Sequence, residues 1–295
     1  MLETNKQTPS NNHLKEAVDF VFVDTNYTAK ALQFTEAGAL TNGVLFGLMR
    51  SILTWQKRFP NAKIVWCFDS PWTYRRRLLA NYKGSRRDGA GLVLNSTEQA
   101  KREAKRRLNQ DLYRQLDEFK GVLADLGLRF EAQEGYEADD LIAVWCNGLA
   151  KQVVIASTDK DYYQLLNHWC SLFNPLTKKS YTSKDFMAEY GISSEHWGRV
   201  LAITGCSTDD VPGIDGVGPK TAIKFLQGKA SSKQNTLIRD NFEMIERNLK
   251  LTVLPWCDPY PMMKESILEE HQIDGNKWDQ VCCVCGMNSL IGLVK

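Results

Sequence analysis

The sequence predicts an α/β fold: a mostly parallel central sheet with flanking helices, followed by an all-α C-terminal region. Three observations predict it. The apolar runs VDFVFVD (18–24), KIVWCFD (63–69) and VVIASTDKD (153–161) have strand length, and each stops at an acid. Segments with helical spacing separate them, as crossovers between parallel strands require. After Glu189 the strand pattern disappears and only helical patterns remain.

Taken in order, residues 1–16 (MLETNKQTPSNNHLKE) hold no apolar run and read as a disordered tail. The first strand ends at Asp24. Asn42 to Arg58 has apolar residues at helical spacing and stops near Pro60, which makes it the crossover to the strand that ends at Asp69. PWTYRRRLLANYK (71–83) is turn-rich, and 84–91 mixes glycine with charge. Residues 97–126 read as helix, with Leu112, Leu116, Phe119, Val122, Leu123 and Leu126 on one face; the half before Leu108 lacks such a stripe. The basic stretch at about 84–118 is therefore expected to arch away from the core. EADDL opens the next helix with Glu137, Asp139 and Asp140 in its first turn, where the helix dipole favours negative charge. Beyond the strand that leads to Asp159 and Asp161, HWGRVLAITG, PKTAIKFLQ and NTLIRDNFEMIERNLKLTVL read as helices. Between the first two, Gly213, Gly216 and Gly218 precede Pro219 and Lys220, a helix, glycine hairpin and helix suited to gripping a phosphate backbone. It is not a phosphate-binding Walker loop, because Pro219 separates the last glycine from Lys220. The expected division is a tail over 1–16, one domain over 17–190 and a helical domain over 191–295.

Seven carboxylates, Asp24, Asp69, Glu137, Asp139, Asp140, Asp159 and Asp161, thus stand at strand or helix ends. In an open parallel sheet those ends line one crevice, so acids far apart in sequence become neighbours. Such a cluster would repel itself unless hard cations neutralised it, and Mg²⁺ is the natural counter-charge. The net charge of +2 hides an asymmetry: Arg75 to Arg107 holds eleven basic residues against three acids, a local balance of +8 that leaves −6 elsewhere. Basic residues beside an acidic metal crevice suit a phosphodiester substrate. The four histidines have no partners at a telling spacing, which argues against a histidine base or a serine triad. The eight cysteines mostly sit in apolar runs and read as reduced thiols; Cys282 and Cys285 have zinc-ligand spacing but no second pair. No segment has the apolar length of a membrane span, and a cytoplasmic protein is expected.

VDTN (23–26), CFDS (67–70), YRRRLLANYKGSR (74–86), GYEADDL (135–141), STDKDYYQLL (157–166) and VPGIDGVGPKTA (211–222) together resemble the 5′ nuclease family. That family includes flap endonucleases, phage 5′-exonucleases and the nuclease domain of bacterial DNA polymerase I. The resemblance implies a PIN-like nuclease core, a helical arch and a helix-hairpin-helix region; from the size of the chain, a free-standing nuclease without a polymerase, of phage or bacterial origin, is expected. It implies two Mg²⁺ or Mn²⁺ ions, the first held by Asp24, Asp69, Glu137 and Asp139 with Asp140 beside them, the second by Asp159, Asp161 and Asp209. Lys83 and Arg86 match catalytic basic residues at the base of the arch, and Tyr82 an aromatic that stacks on a terminal base. Arg75, Arg102, Lys105, Arg106, Gly213, Gly216, Gly218 and Lys220 are expected to bind DNA. A K⁺ ion is implied at the main-chain carbonyls of Ile203, Thr204, Ile214 and Val217. The implied partner is DNA with a 5′ flap, overhang or junction, cleaved by a monomer; an RNase H of the same fold acting on RNA–DNA hybrids and a catalytically weakened junction-binding protein are the alternatives.

The chain departs from the family at one position. Where an acid is expected after Gly205 stands Cys206, followed by Asp209 and Asp210. A thiol is a poor Mg²⁺ ligand, so the departure reads as a lost ligand, with Asp209 or Asp210 as the compensating group.

Overall fold

Five residues, Phe20–Asp24, form the central strand β1, and the side chains of this FVFVD run alternate between two apolar layers. Phe20 and Phe22 join one buried cluster, Val21 and Val23 the other. The computed structural model describes residues 18–35, 40–84, 96–262 and 272–294. The expected tail over 1–16 lies outside them, as do residues 85–95 of the expected arch.

Two helices, α1 (Thr25–Gln33) and α2 (Gly43–Arg58), lead to β2 (Lys63–Cys67). A short 3-10 turn at Tyr74–Arg77 precedes α3 (Ser96–Asp125), then β3 (Arg129–Glu131), α4 (Ala138–Gly148) and β4 (Val153–Ala156). A second 3-10 turn (Lys160–Leu165) leads to the pair β5 (Cys170–Asn174) and β6 (Lys179–Tyr181). The helices α5 (Ser183–Tyr190), α6 (Trp197–Thr204), α7 (Pro219–Leu226), α8 (Ser232–Asp240), α9 (Phe242–Thr252) and α10 (Gly275–Val284) follow.

The sheet order is β3-β2-β1-β4-β5-β6, parallel throughout except for antiparallel β6. From β1 the chain builds outward to β2 and β3, then returns to β4 on the other side. The strand order therefore reverses between β1 and β4, and this switch point is where open α/β sheets form a crevice. Asp24 ends β1 at that point, and the loop after Ala156 carries Asp159 and Asp161 to it.

The elements differ from the sequence expectation in two places. Helix α1 was not expected, because TNYTAKALQ lacks an apolar stripe; Asp24 starts it by accepting from the Tyr27 amide. The single helix expected over 235–254 is two, α8 and α9, separated at Asn241. The helices beyond residue 190 pack on the sheet, with Trp197, Val200, Ile203 and Trp256 in the cluster that holds Phe22 and Ile155. On the opposite face, α10 places fully buried Trp278 in the cluster of Val21, Trp66 and Phe119. The buried stripe of α3 runs from Leu112 to Leu123, whereas its first three turns are mostly exposed. No helix among the described residues is long and apolar enough to cross a membrane.

Candidate metal centre

Asp24 is held from two sides. Its Oδ1 accepts from the Tyr27 amide and its Oδ2 from the Tyr162 hydroxyl, each at 2.9 Å. Burial, with Asp69 and Asp159 nearby, pushes its carboxyl up to about 7. Asp69, just past β2, accepts from the Ala138 amide at 2.9 Å, while its own amide donates to Asn26 Oδ1 at 3.0 Å. The end of β2 is thereby tied to the start of both α1 and α4.

Glu137 caps α4 and meets the base of the expected arch. Lys83 Nζ lies 2.7 Å from its Oε1, and the Tyr82 hydroxyl donates to its Oε2 at 2.9 Å. Burial alone would raise this carboxyl, but the charges of Lys83 and Arg75 hold it down at about 2. Burial would likewise lower the Lys83 ammonium, yet Glu137, Asp209 and Asp69 keep it charged well above the usual lysine range. Lys83 sits in the left-handed region at φ 51°, and its amide donates to the Asp209 carbonyl at 2.8 Å. Asp139 is one residue into α4; its Oδ1 is buried and makes no hydrogen bond among the described residues. Burial and Asp140 raise its carboxyl well above the ordinary range.

Asp161 follows β4 within the 3-10 turn and donates its amide to Asp159 Oδ1 at 3.0 Å. Burial, Asp159 and Asp209 push its carboxyl up to about 7. Ligand atoms of Asp161, Cys206 and Asp209 lie within 4.8 Å of one another. Position 206 is therefore part of the cluster. Burial and the carboxylates of Asp209 and Asp161 push the Cys206 thiol up to about 11. Asp210, the other candidate for the family's missing acid, is not in this group and occupies a left-handed turn at φ 55°.

Three of the expected site residues are buried in contacts within the protein. Arg75 is 1% exposed, and both ends of its guanidinium pair with Asp140 at 2.6 and 2.7 Å. The same pairing occupies Asp140. Its oxygens also accept from the amides of Glu137 at 3.1 Å and Trp256 at 2.7 Å, which exhausts its acceptor geometry. Tyr82 is 2% exposed with its hydroxyl between Glu137 and Asp209, so its ring is a packed support and not a stacking platform. Arg86 lies outside the described residues.

On the exposed half of α3, Lys105 and Arg106 face solvent and Arg102 is half-buried. In the glycine hairpin, a Cβ on Gly213 would come within 1.9 Å of the Thr204 carbonyl oxygen, so only glycine permits that approach. Gly216 adopts φ 77°, Gly218 caps α7 and Lys220 is exposed in its first turn. The carbonyls of Ile203 and Ile214 each accept a main-chain bond at 3.0 Å, from Ile214 and Val217 respectively, and keep a second lone pair. Thr204 closes α6 beside them. Sequence reasoning missed Asn26 and Tyr162, which orient Asp69 and Asp24. Both lie inside the recognised VDTN and STDKDYYQLL blocks, and that placement was the available signal.

The donor set fits divalent cations. A buried, unbonded carboxylate oxygen on Asp139 and the raised carboxyls of Asp24 and Asp161 are groups that bound cations would satisfy and neutralise.

Residues 21–191 match the family model described as 5′-3′ exonuclease, N-terminal resolvase-like domain. A 5′-3′ exonuclease of Aquifex aeolicus is 30% identical over 230 residues, 77% of this chain and 72% of that protein. DNA polymerase I of Pseudomonas aeruginosa is 29% identical over 190 residues, 63% of this chain, which spans only 19% of that larger protein. Among solved structures, the bacteriophage T5 flap endonuclease in a complex with DNA and metal ions gives a TM-score of 0.65 at 19% identity. That likeness covers 92% of this chain and 99% of the phage chain, and at this identity it shows the fold. By sequence, this chain belongs to the 5′-3′ exonuclease family of nucleases.

Proposed function

We propose that this protein is a divalent-metal-dependent, structure-specific 5′ nuclease, acting as a monomer on DNA with 5′ flaps, overhangs or junctions as both 5′-3′ exonuclease and flap endonuclease. The observation that carries this reading is the meeting of Asp24, Asp69, Glu137, Asp139, Asp161 and Asp209 at the strand-order switch, with Lys83 at its edge. Two divalent ions, one of Mg²⁺ or Mn²⁺ held by Asp24, Asp69, Glu137 and Asp139 and a second held by Asp159, Asp161 and Asp209, would acidify water and neutralise charge on the scissile phosphate. The remaining work falls to the chain. Lys83 presents a permanently charged ammonium to the phosphate, and Glu137 fixes its position. Arg102, Lys105 and Arg106 line the exposed face of α3 as contacts for the strand backbone. The hairpin around Gly213, Gly216 and Gly218 grips the duplex, with Lys220 as its cation and K⁺ at the carbonyls of Ile203, Thr204, Ile214 and Val217.

Cleavage of matched 5′-flap, blunt-duplex, single-stranded and RNA–DNA hybrid substrates tests the substrate reading. The flap should be cut fastest, near its junction. Preference for the hybrid would make the protein an RNase H of this fold, and junction binding without cleavage would make it a binding protein.

A further inference from the structure

The two ends of the crevice differ in donor chemistry. Around Asp24, Asp69, Glu137 and Asp139 every candidate ligand atom is a carboxylate oxygen. At the other end, Cys206 contributes sulfur beside Asp161 and Asp209. We propose that the Asp161, Cys206 and Asp209 cluster is a mixed sulfur and oxygen site that selects a borderline transition ion such as Zn²⁺ or Co²⁺ over Mg²⁺. This inference rests on the reading of the crevice as a metal centre and goes further by assigning each end its own class of ion.

Geometry supports it. In a tetrahedral site, bonds of about 2.3 Å to sulfur and about 2.0–2.2 Å to carboxylate oxygen place the ligand atoms of one ion about 3.3–3.6 Å apart, so atoms now within 4.8 Å would close by up to about 1.5 Å through side-chain rotation. Cys206 is also fixed in place by its backbone. Its amide donates to the Val211 carbonyl and its carbonyl accepts from the Val211 amide, both at 3.0 Å, a bridge that closes the turn holding Asp209. Asp161 comes from a different loop, after β4, so the three ligands converge from two rigid segments. With Asp161, Cys206 and Asp209 as ligands, a fourth position remains for Asp159, water or substrate. Thiolate sulfur favours zinc and cobalt, whereas Mg²⁺ takes oxygen donors. On binding, the Cys206 thiol releases its proton to solvent as the sulfur–metal bond forms, with no change in oxidation state.

Cobalt provides a direct readout. The full chain, stripped with chelator, is titrated with Co²⁺ in the presence and absence of excess Mg²⁺ while the near-ultraviolet thiolate-to-cobalt absorption is followed. Exposed Cys257 and Cys283 are a possible background, so the signal is the difference between wild type and Cys206→Ser. Wild type should develop the band, excess Mg²⁺ should leave it in place, and Cys206→Ser should lose it. Cys206→Asp should bind divalent ions without the band, its preference for Co²⁺ over Mg²⁺ lower by about an order of magnitude. Circular dichroism of both variants establishes that they are folded. If Co²⁺ binds but the band is absent from wild type, unchanged in Cys206→Ser or abolished by Mg²⁺, the sulfur assignment fails while the metal centre stands. If neither Co²⁺ nor Mn²⁺ binds at all, the metal-centre reading fails and this inference with it.

Discussion

Arg75 and Asp140 form a two-pronged, buried ion pair, with Nη1 2.6 Å from Oδ2 and Nη2 2.7 Å from Oδ1. Three distant segments meet at this pair. Arg75 Nε donates to the Leu251 carbonyl at 2.9 Å, Asp140 Oδ1 accepts from the Trp256 amide, and Asp140 Oδ2 accepts from the amide of Glu137. The pair thus connects the turn before the expected arch, the metal-facing end of α4 and the end of α9.

Removing one partner leaves the other charge buried, which costs about 3–5 kcal/mol. Arg75→Met should therefore destabilise the fold by about that amount in urea denaturation. Asp140→Asn in the same chain should recover part of the loss, because the orphaned charge is gone. Strictly additive losses in the double-mutant cycle would show that the pair is not coupled.

Asp24 and Asp161, pushed up to about 7, give the stability a definite pH sign. An unfolded aspartate titrates near 3.9, so both pKa values rise on folding and the fold favours the protonated forms. Their contribution is complete below about pH 4 and is lost as pH rises through about 7. Glu137, held at about 2, has its contribution in place above about 4.5 and adds no slope in that window. In chelator, the Tm should fall between about pH 5.5 and about pH 8, and Mn²⁺ should restore it at the higher pH. A Tm that climbs with pH in chelator would contradict the assignment.

Asp161→Asn should separate binding from chemistry. Loss of a preorganised electrostatic group costs about 10²-fold or more in cleavage, while junction affinity should hold or rise because negative charge near the phosphate is reduced. Wild-type turnover by this variant in Mg²⁺ would remove Asp161 from the mechanism.

Lys83 and the exposed turns of α3 should show different defects. Lys83→Ala should slow the chemical step more than it weakens binding, since its charge acts at the scissile phosphate. Neutralising Arg102, Lys105 and Arg106 together should weaken binding and flatten its salt dependence by up to roughly 0.7–0.9 in log–log slope per lost phosphate contact. Equal loss of single-turnover rate at saturating enzyme in both variants would refute this division.

What could be read in the sequence follows from where each signal resides. Asp24, Asp69, Asp159 and Asp161 were visible because they end apolar runs, and the parallel topology then brings them together without further information. The burial of Arg75 and Tyr82 was not legible because it depends on remote partners. Arg75 pairs with Asp140, 65 residues away, and Leu251, 176 away; Tyr82 reaches Glu137 and Asp209 across 55 and 127 residues. In the sequence they are a charge and an aromatic within a basic, turn-rich loop, which reads as surface. Helix α1 escaped notice because its capping acid is itself a candidate ligand and the helix has no apolar stripe. Cys206 was noticed as a departure, but only the folded turn shows it beside Asp161 and Asp209.

Metal-dependent hydrolysis by the carboxylates at the strand-order switch requires both the metal and Asp69. Single-turnover cleavage of a 5′-flap substrate by the wild type and by Asp69→Asn, each in Mg²⁺ and in chelator, tests it most directly. Wild type in Mg²⁺ should cut near the flap junction, chelator should abolish that cleavage, and Asp69→Asn should be slower by about 10²-fold or more while still binding the substrate. Cleavage that persists in chelator, or an Asp69→Asn rate equal to wild type in Mg²⁺, would contradict the account.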